Sequence, residues 1–509
     1  MRFHVLGVGS IGTLLSHHLR QTLPRETPIS LIVKNAHAFP NLRKSKLGIP
    51  VTTVERDKPL SLVVERDSKK SISRGYDLEI WNNAAAAKTT LDTSPIHSLL
   101  VTLKAPSTLS ALSALKPRIQ PNSVITLLQN GMGVYEELCT KLWPDPMDRP
   151  LFILGTTTHG VSPAYRKGWV KHMSPLGEGA VKWGLVPHPR REIDLEKWIF
   201  RQDVSKLPVL FSPPTPTLPL PPPPSPSLGL EPFHQTMEAL LSLSNLNPTL
   251  LPMTHLQHQL LLKVSLNSII NPLTAILSTS TPLRNGELFG KTPGHRLMRQ
   301  SAREISSVLT AYLHSLSSPH IPPSDVLRLF SAESLEHECI KLVLATSKNV
   351  SSMAMDVSCG RESEINYING YIIQLARKLD LETPCMDMMR QMVVFSILRN
   401  KNQDFTKEDW LEAMEERERR KVLVEEEVEK RLQDELGRLR RSTSEKRYQR
   451  RLAFEERKKE KQLEKLKRKR LDKEASIQLE NQTPGEGRNT IESGAAEEPS
   501  VIVAGMTES

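Results

Sequence analysis

The sequence predicts an α/β fold, in which an N-terminal Rossmann-type parallel-sheet domain is followed by an all-helical C-terminal domain and a charged helical tail. Three observations support this prediction. The first forty residues form a β-α-β pattern, and further apolar strands alternate with helical segments up to about residue 154. From residue 253 to 399, apolar residues recur three and four positions apart, which is typical of helices. Strands that alternate with helices indicate a parallel sheet covered on both faces.

The elements of the first domain follow from its apolar runs. Buried strands are predicted at residues 3–7, 29–33, 99–103, 124–128 and 151–154, with helices near residues 14–19 and 109–115. The predicted domains are residues 1–252 for the sheet domain, 253–400 for the helical domain, 401–475 for the tail and 476–509 for a disordered end. Two insertions are expected in the first domain, at about residues 66–97 and 188–232.

The second insertion and the tail have biased compositions. Residues 213–226 hold nine prolines in fourteen positions, which predicts an exposed spacer; a ligand for an SH3 or WW domain is the alternative. Residues 401–474 contain 45 charged residues, and Gly437 interrupts a weak leucine heptad, so a solvated charged helix is favoured over a coiled coil. The basic stretch at residues 446–470 leaves an RNA or protein partner open.

Length, cysteines and apolar runs exclude several classes of protein. The chain has 509 residues, enough for two or three domains. Its cysteines are widely spaced, at Cys139, Cys339, Cys359 and Cys385. Their spacing indicates neither a disulfide framework nor a metal site, and it favours a reducing compartment. No apolar run of about 18 residues occurs and the first strand starts at residue 2 or 3, so we expect no membrane span, no presequence and a cytoplasmic location.

The formal net charge of +11 lies in the body of the protein. Residues 401–509 carry 26 Lys and Arg and 26 Asp and Glu, which leaves 42 cations and 31 anions for residues 1–400. A positive field on the body suits phosphates and carboxylates of small ligands at least as well as it suits nucleic acid.

A glycine-rich motif, Gly7-x-Gly9-x-x-Gly12, follows the first strand and opens the first helix. Gly7 allows a tight turn, Gly9 lets the backbone approach a pyrophosphate, and Gly12 lets the helix pack on the strand. The backbone N–H groups of Ser10 and Ile11 would then donate to the phosphates. In this context the motif predicts a dinucleotide site.

The end of the second strand predicts which dinucleotide binds. Enzymes that use NAD place Asp or Glu there to hold the ribose hydroxyls, whereas this chain has Lys34. Because a cation matches a 2′-phosphate, we expect NADP(H); the alternative is a solvated surface lysine.

The helical domain contains two polar patterns. Lys263, Asn267 and Asn271 are spaced i, i+4, i+8 within an apolar segment, so they share one helix face. A lysine that is partly desolvated gives up its proton more readily, which suits a general acid, although a lysine extending out of a core helix is the simpler alternative.

A second polar pattern lies farther along the chain. Asn349, Ser352 and Asp356 are spaced i, i+3, i+7, and on one helix face the first two could hold a carboxylate. Glu364 is predicted to start a helix over residues 365–370, where the helix N-terminus would favour its ionised form; a simple helix-start charge is the alternative.

Taken together, these residues resemble the ketopantoate reductase (2-dehydropantoate 2-reductase) family. The matching stretches follow the family order over residues 1 to about 398: GVGSIG at 7–12, VTLKA at 101–105, QNGMG at 129–133, GTTTHG at 155–160, KVSLNSIINPLTAI at 263–276, NGEL at 285–288, NVSSM at 349–353 and EINYING at 364–370. The resemblance implies NADPH-dependent reduction of 2-dehydropantoate to (R)-pantoate in pantothenate biosynthesis, in a cleft between the two domains.

The resemblance also implies roles for individual residues. Lys263 would donate the proton to the substrate carbonyl and Glu364 would hydrogen-bond the substrate hydroxyl. Lys34 and Lys104 would hold the cofactor, and Asn130 would contact cofactor and substrate. The remaining substrate contacts would come from Asn267, Asn271, Asn349 and Ser352.

Two alternative functions and the oligomeric state stay open from the sequence. The substrate could be another branched 2-oxo acid, because membership of a family fixes the chemistry better than it fixes the substrate. A scaffold or RNA-associated protein that acts through its charged tail is the alternative from another class. Whether the body forms a homodimer is not indicated by the sequence.

Overall fold

The structure is a computed structural model, which describes residues 1–34, 61–66, 69–81, 94–163, 168–174, 178–188, 194–204, 215–216, 218–223, 228–289, 292–316 and 327–401. Several predictions concern residues outside these ranges and stay predictions. They are the charged tail, its coiled-coil alternative, the disordered end and the RNA or protein partner. Within the described ranges, no helix is both long enough and apolar enough to cross a membrane.

The described residues contain twelve strands: β1 (Phe3–Leu6), β2 (Ile29–Val33), β3 (Ser61–Arg66), β4 (Lys69–Arg74), β5 (Asp77–Ile80), β6 (Ile96–Val101), β7 (Ile119–Leu128), β8 (Leu151–Thr157), β9 (Val161–Pro163), β10 (Trp169–His172), β11 (Val181–Leu185) and β12 (Pro248–Leu250). The α-helices of the first domain are α1 (Ser10–Thr22), α2 (Thr108–Leu115), α3 (Val134–Lys141), α4 (Leu195–Phe200) and α5 (Glu231–Leu241). Those of the second domain are α6 (Met253–Ile276), α7 (Asn285–Phe289), α8 (Thr292–Ser315), α9 (Ala332–Ala345), α10 (Ser352–Ser358), α11 (Asn369–Lys378) and α12 (Pro384–Lys401).

The main sheet has eight strands in the order β12-β11-β8-β7-β6-β1-β2-β5. Its pairs are parallel except for β11, which runs antiparallel to β8. Strands β1, β2 and β6 are buried almost along their whole length, as expected when helices cover both faces of a parallel sheet. The strand order reverses between β1 and β6, which is where proteins of this architecture bind ligands beyond the carboxyl ends of the strands.

The predicted insertion at residues 66–97 contains regular structure that the sequence analysis missed. Strand β5 extends the main sheet beside β2, and β4 joins β3, β10 and β9 in a separate four-stranded sheet. Tyr76 is buried and donates a hydrogen bond to the carbonyl of Ser16 in α1 at 3.0 Å. The polar composition of β4 explains the miss, because five of its six residues are exposed and only Ser73 is buried.

The proline-rich insertion is only partly the exposed spacer that was predicted. Helix α4 forms within residues 188–232, and Leu220 is 4% exposed and belongs to the core of the sheet domain. The Leu220 N–H donates to Glu238 Oε1 at 3.2 Å, so a polar contact and an apolar side chain attach this segment to α5.

The predicted helical domain is confirmed, and it packs with the sheet domain in one compact unit. Its core includes Leu261, Ile269, Ile305, Val343 and Ile372, which are contributed by α6, α8, α9 and α11. All four cysteines are free thiols.

Candidate active site

The glycine motif lies at the carboxyl end of β1, where the turn into α1 requires two of its glycines. Gly7 has φ +98°, a left-handed value, and a side chain there would meet the Leu103 backbone nitrogen at 2.9 Å. A Cβ on Gly12 would overlap the carbonyl oxygen of Gly7 and the hydroxyl of Thr102. Gly9 differs, because a Cβ there would meet nothing within 4 Å. The space in front of α1 is therefore open.

The N-terminus of α1 fits a phosphate. Gly9 caps the helix without a side-chain hydrogen bond, and the first turn contains no acidic residue. The first N–H groups of a helix have no partner inside it, so those of Ser10, Ile11 and Gly12 are available to donate to an anion. The pyrophosphate role of Gly7, Gly9, Ser10, Ile11 and Gly12 stays a prediction, and the arrangement at the start of α1 is compatible with it.

Lys34 is exposed and directly follows β2. This is the strand end at which a ribose or a 2′-phosphate would lie in this architecture. Its role as the cofactor-selecting cation stays a prediction, since residues 35–60 lie outside the described part of the chain.

Lys263 lies on α6 and contacts the end of β8 across the cleft between the two domains. Its Nζ donates to Thr156 Oγ1 at 3.2 Å and to the carbonyl oxygen of Thr157 at 3.0 Å. Burial lowers the pKa of the Lys263 amine to about 8, and the negative charge of Glu364 partly opposes this shift. The ammonium is therefore held at a fixed place and is a stronger acid than an exposed lysine.

Glu364 approaches the same cleft from the loop before α11. Its Oε1 accepts a hydrogen bond from the Ala105 N–H at 3.2 Å, and Asn130 hydrogen-bonds to the same carboxylate. Burial raises the pKa of Glu364 to about 7, against the effects of the Ala105 bond and of Lys104. The predicted helix start is wrong, because residues 365–368 form turns and α11 begins only at Asn369. Desolvation, not a helix N-terminus, determines the ionisation of this carboxyl group.

Lys104 connects the two domains through an ion pair. Its Nζ lies 2.5 Å from Asp356 Oδ1 on α10 and donates to the carbonyl oxygen of Glu362 at 3.1 Å. Asp356 is buried, which raises its pKa, while Lys104 and then Arg361 lower it. Lys104, the cation expected to assist cofactor binding, is thus half-exposed and is held by residues of the helical domain.

The loop that contains Asn130 packs on the segment that contains Glu364. Gly131 has φ +84°, and a Cβ there would meet the Tyr367 carbonyl oxygen at 2.6 Å. The Met132 N–H donates to that same oxygen at 2.8 Å. Backbone contact between the two loops therefore holds Asn130 beside Glu364.

The remaining predicted substrate residues are brought together only in part. Asn267 and Asn271 follow Lys263 on α6, where Asn267 is half-buried and Asn271 is 8% exposed. The predicted helix face of Asn349 and Ser352 is wrong, because α10 begins at Ser352 and Asn349 precedes it in a loop.

Both Asn349 and Ser352 are exposed, and no hydrogen bond within the described residues joins their side chains to Lys263 or Glu364. The capping residue of α10 is their neighbour Ser351, whose hydroxyl accepts from the Ala354 N–H at 3.1 Å and lies 2.7 Å from Thr274 Oγ1 on α6. This contact keeps the start of α10 next to the helix that carries Lys263.

Sequence reasoning missed three partners of the site. Thr156 and Thr157 hold Lys263, and the Ala105 N–H holds Glu364. All three lie directly at or beyond the carboxyl end of a parallel strand, β8 or β6. Their position after predicted strands could have identified them as site residues, since the carboxyl ends of parallel strands meet at one edge of the sheet.

These observations define a class of protein. It is a two-domain Rossmann-fold protein, in which a lysine and a carboxyl group of the helical domain each hydrogen-bond to strand-end segments of the sheet domain. Groups of three or more His, Cys, Asp or Glu residues able to hold a metal ion do not occur among the described residues.

Comparison with known proteins identifies the family. The sequence model for "Ketopantoate reductase PanE/ApbA" matches residues 3–188, and that for "Ketopantoate reductase PanE/ApbA C terminal" matches residues 255–395. The chain therefore belongs to the ketopantoate reductase family, which is a family of oxidoreductases.

Curated relatives cover most of the chain at low identity. The 2-dehydropantoate 2-reductase of Saccharomyces cerevisiae is 25% identical over 78% of this chain and 93% of its own length. A probable 2-dehydropantoate 2-reductase of Schizosaccharomyces pombe is 26% identical over 73% of this chain and 90% of its own length.

Solved structures support the fold. A D-mandelate dehydrogenase crystallised with NADH and anilino(oxo)acetate superposes with a TM-score of 0.51 at 17% identity, covering 79% of this chain and 100% of that one. A ketopantoate reductase from Ralstonia eutropha JMP134 gives a TM-score of 0.50 at 14% identity with the same coverage. The described fold is thus shared by reductases of this architecture.

Proposed function

We propose that this protein reduces 2-dehydropantoate to (R)-pantoate with NADPH, using Lys263 as the general acid. Family membership supports the reaction, and one observation supports the mechanism most strongly. Lys263 and Glu364 come from separate segments of the helical domain, and strand ends of the sheet domain hold both of them at the same cleft.

Lys263 supplies the proton of the reaction. When a nicotinamide cofactor is bound, it supplies the hydride to the substrate carbonyl carbon. The negative charge that develops on the carbonyl oxygen is neutralised by a proton from Lys263 Nζ, so that the carbonyl becomes an alcohol. A pKa of about 8 keeps the amine largely protonated at neutral pH while making it a better donor than an exposed lysine.

Thr156 and Thr157 keep this proton donor in place. Their hydroxyl and carbonyl oxygens accept two of the three Nζ hydrogens at 3.2 and 3.0 Å, which leaves the third free for the substrate oxygen. A donor fixed in this way loses little entropy when the reaction occurs.

Glu364 would bind the substrate hydroxyl as an acceptor. The Ala105 N–H occupies Oε1, and the carboxylate retains further lone pairs. This role needs the ionised form, which is populated above the raised pKa of about 7. Asn130, Asn267, Asn271, Asn349 and Ser352 are proposed to hold the rest of the substrate and its carboxylate.

NADPH is proposed over NADH because the residue after β2 is Lys34, a cation, instead of an acid. The open N-terminus of α1 would bind the pyrophosphate, and Lys104 would add a second positive charge near the cofactor. Replacing Lys34 with Ala should raise the KM for NADPH about tenfold and leave the KM for NADH unchanged. Equal effects on both cofactors would contradict the assignment.

The mechanism is tested by comparing two partly buried lysines at the contact between α6 and the sheet domain. Lys263 lies on α6 and contacts β8, whereas Lys182 lies on β11 and contacts α6. Lys263→Ala should lower turnover with NADPH and 2-dehydropantoate about a hundredfold or more, the usual contribution of a general acid. Lys182 on β11 is the matched control, because burial lowers its pKa as well and its Nζ donates to Gln259 of α6 at 2.6 Å. Lys182→Ala should keep turnover within about twofold of wild type. Equal losses in both variants would overturn the role of Lys263.

A reductase of another branched 2-oxo acid is the alternative within the same chemistry. Assay of a panel of 2-oxo acids with NADPH separates the two. The highest kcat/KM is expected for 2-dehydropantoate, and a higher value for a 2-oxo acid that lacks the hydroxyl would favour the alternative and remove the role given to Glu364.

A further inference from the structure

Tyr367 belongs to the helical domain, but its side chain packs on the sheet domain. The ring is half-buried and contacts the apolar cluster of the sheet domain that includes Val134 and Leu138 of α3. The Tyr367 hydroxyl donates to Glu137 Oε2, in the first turn of α3, at 2.7 Å. The ring and the hydroxyl therefore both attach this residue to the other domain.

The backbone of Tyr367 makes a second connection between the domains. Its carbonyl oxygen accepts from the Met132 N–H at 2.8 Å, and its N–H donates to the carbonyl oxygen of Glu364 at 2.9 Å. The Tyr367 Cβ also lies so close to Gly131 that a side chain at that glycine would meet it at 2.8 Å. One residue thus joins the sheet domain to the turn that begins at Glu364.

The turn over residues 364–368 needs such support more than the loop opposite it. Residues 365–368 form turns, so no helix orders the backbone around Glu364, and segments of this kind open more easily than helices. The loop that contains Asn130 is attached within its own domain, because the Gln129 side chain donates to the Leu103 carbonyl oxygen at 2.6 Å. We therefore expect the contacts of Tyr367 to order the Glu364 turn in the first place.

The hydroxyl of Tyr367 is a permanent donor in this contact. Burial, and then the Glu137 carboxylate, raise the pKa of the Tyr367 phenol, so the phenol keeps its proton at neutral pH. Glu137 also accepts from Lys141 Nζ at 2.6 Å, through its other oxygen. Lys141 is exposed, and exposed i,i+4 pairs contribute little, so the bond between Tyr367 and Glu137 can be tested separately.

We infer that Tyr367 is a positioning residue for Glu364. It holds the Glu364 turn against α3 and against the loop that contains Met132, and it acts on the substrate only through Glu364. The inference rests on the proposed function, in which the Glu364 carboxylate accepts a hydrogen bond from the substrate hydroxyl. Loss of the Tyr367 hydroxyl should therefore weaken the binding of 2-oxo acids that carry this hydroxyl and spare those that lack it.

The substrate dependence of Tyr367→Phe tests this inference. The KM for 2-dehydropantoate should rise about tenfold, the scale of one hydrogen bond to a charged group, whereas the KM for a branched 2-oxo acid without the hydroxyl should stay within about twofold. Tyr76→Phe is the matched control, because the buried Tyr76 hydroxyl donates to the Ser16 carbonyl oxygen at 3.0 Å within the sheet domain. This control should keep both KM values. Equal rises for the two 2-oxo acids in Tyr367→Phe would mean a general structural role and would overturn the inference.

Substitutions of Glu137 test whether its bond to Tyr367 is the contact that matters. Glu137→Ala should reproduce the tenfold rise in KM of Tyr367→Phe, because it removes the same bond. Glu137→Gln keeps an acceptor oxygen for Tyr367 and loses only the charge that faces Lys141, so its KM should stay within about threefold of wild type. The double variant Tyr367→Phe/Glu137→Ala should be no worse than either single variant. Losses that add in the double variant would show that the two side chains act independently, and the inference would be wrong.

Hydrogen exchange of the full chain tests the positioning without any turnover. In Tyr367→Phe, amides of residues 364–368 should exchange about tenfold faster than in wild type, and those of α6 should be unchanged. Unchanged exchange of residues 364–368 would overturn the inference. A wild-type protein without activity on 2-dehydropantoate would refute the proposed function alone, and the exchange rates would still decide whether Tyr367 holds Glu364 in place.

Discussion

Helices α6 and α12 depart from the usual distribution of side chains in opposite ways. α6 places Lys263 and Asn271 among buried apolar neighbours, whereas α12 turns Met392 and Phe395 to solvent. On α6 the departure costs stability, because a desolvated amine is held at the cleft. On α12 it leaves apolar side chains exposed on the outer face of the helical domain. The comparison teaches that the polar residues of α6 serve the proposed reaction at a cost in stability, whereas the exposed apolar residues of α12 contribute little to the stability of the fold.

The largest effect should come from removing the charge on α6. Lys263→Met should lower turnover about a hundredfold or more and raise the free energy of unfolding at pH 7 by about 1–2 kcal/mol. The sign follows from the lowered pKa: below about pH 8 the folded protein must hold a buried ammonium that the unfolded chain solvates freely.

The matched substitution on the same helix is Leu261→Ala. Leu261 is 1% exposed, so its truncation should lower the unfolding free energy by about 2–5 kcal/mol. Urea unfolding measures both variants. If Lys263→Met lost as much unfolding free energy as Leu261→Ala, Lys263 would be a structural residue of α6.

The glycine motif offers a second matched pair of comparable size. Gly12→Ala should destabilise the protein by about 2–4 kcal/mol, because its Cβ would overlap the Gly7 carbonyl and Thr102. Gly9→Ala has open space and φ −78°, so it should fold as wild type while raising the KM for NADPH about tenfold. Thermal unfolding and cofactor titration separate the two effects. If Gly9→Ala bound NADPH normally, the open space would not be the phosphate site.

Glu364 gives a smaller effect with a definite pH dependence. Its pKa is about 7 in the folded protein and about 4.5 in the unfolded chain, so this carboxyl group reduces stability progressively as the pH rises between these values. Glu364→Gln should therefore be more stable than wild type by about 1–3 kcal/mol at pH 8 and nearly equal at pH 4. The difference in Tm between the two proteins at these two pH values checks the sign, and a constant difference would contradict it.

The smallest effect is expected on α12. Phe395 is 66% exposed, so the unfolding free energy of Phe395→Gln should lie within about 0.5 kcal/mol of wild type in urea unfolding, as for other exposed positions. A large loss of stability would mean that Phe395 packs within its own chain.

The sequence predicted the parts of the fold that depend on local pattern. The apolar runs gave β1, β2, β6, β7 and β8, and the glycine motif placed the turn into α1, because both depend on neighbouring residues. Strand β4 was missed since five of its six residues are exposed, and its order depends on distant partners: β3, and the side chains of His17 and Gln21 on α1. The buried position of Leu220 was missed for a similar reason, because its partners on α5 are distant in sequence.

The sequence proposed the candidate site residues, whose roles stay predictions, but it did not give their geometry. The resemblance placed Lys263, Glu364 and Asn130 in one cleft, and the structure brings them together there. The helix over residues 365–370 was wrong because the pattern could not reveal that the Tyr367 carbonyl accepts a bond from Met132. The ionisation of Glu364 was predicted in the wrong direction, since its burial depends on Ala105 and Asn130 from the other domain.

The most direct test of the central claim is the pH dependence of kcat/KM for NADPH-dependent reduction of 2-dehydropantoate by the full chain. Two ionisations should bound the activity: a rise near pH 7 as Glu364 ionises, and a fall above about pH 8 as Lys263 loses its proton. Glu364→Gln should lose the first limb and keep the second. A wild-type profile that stays flat through pH 8, or no turnover at all, would contradict the role of Lys263 as the proton donor.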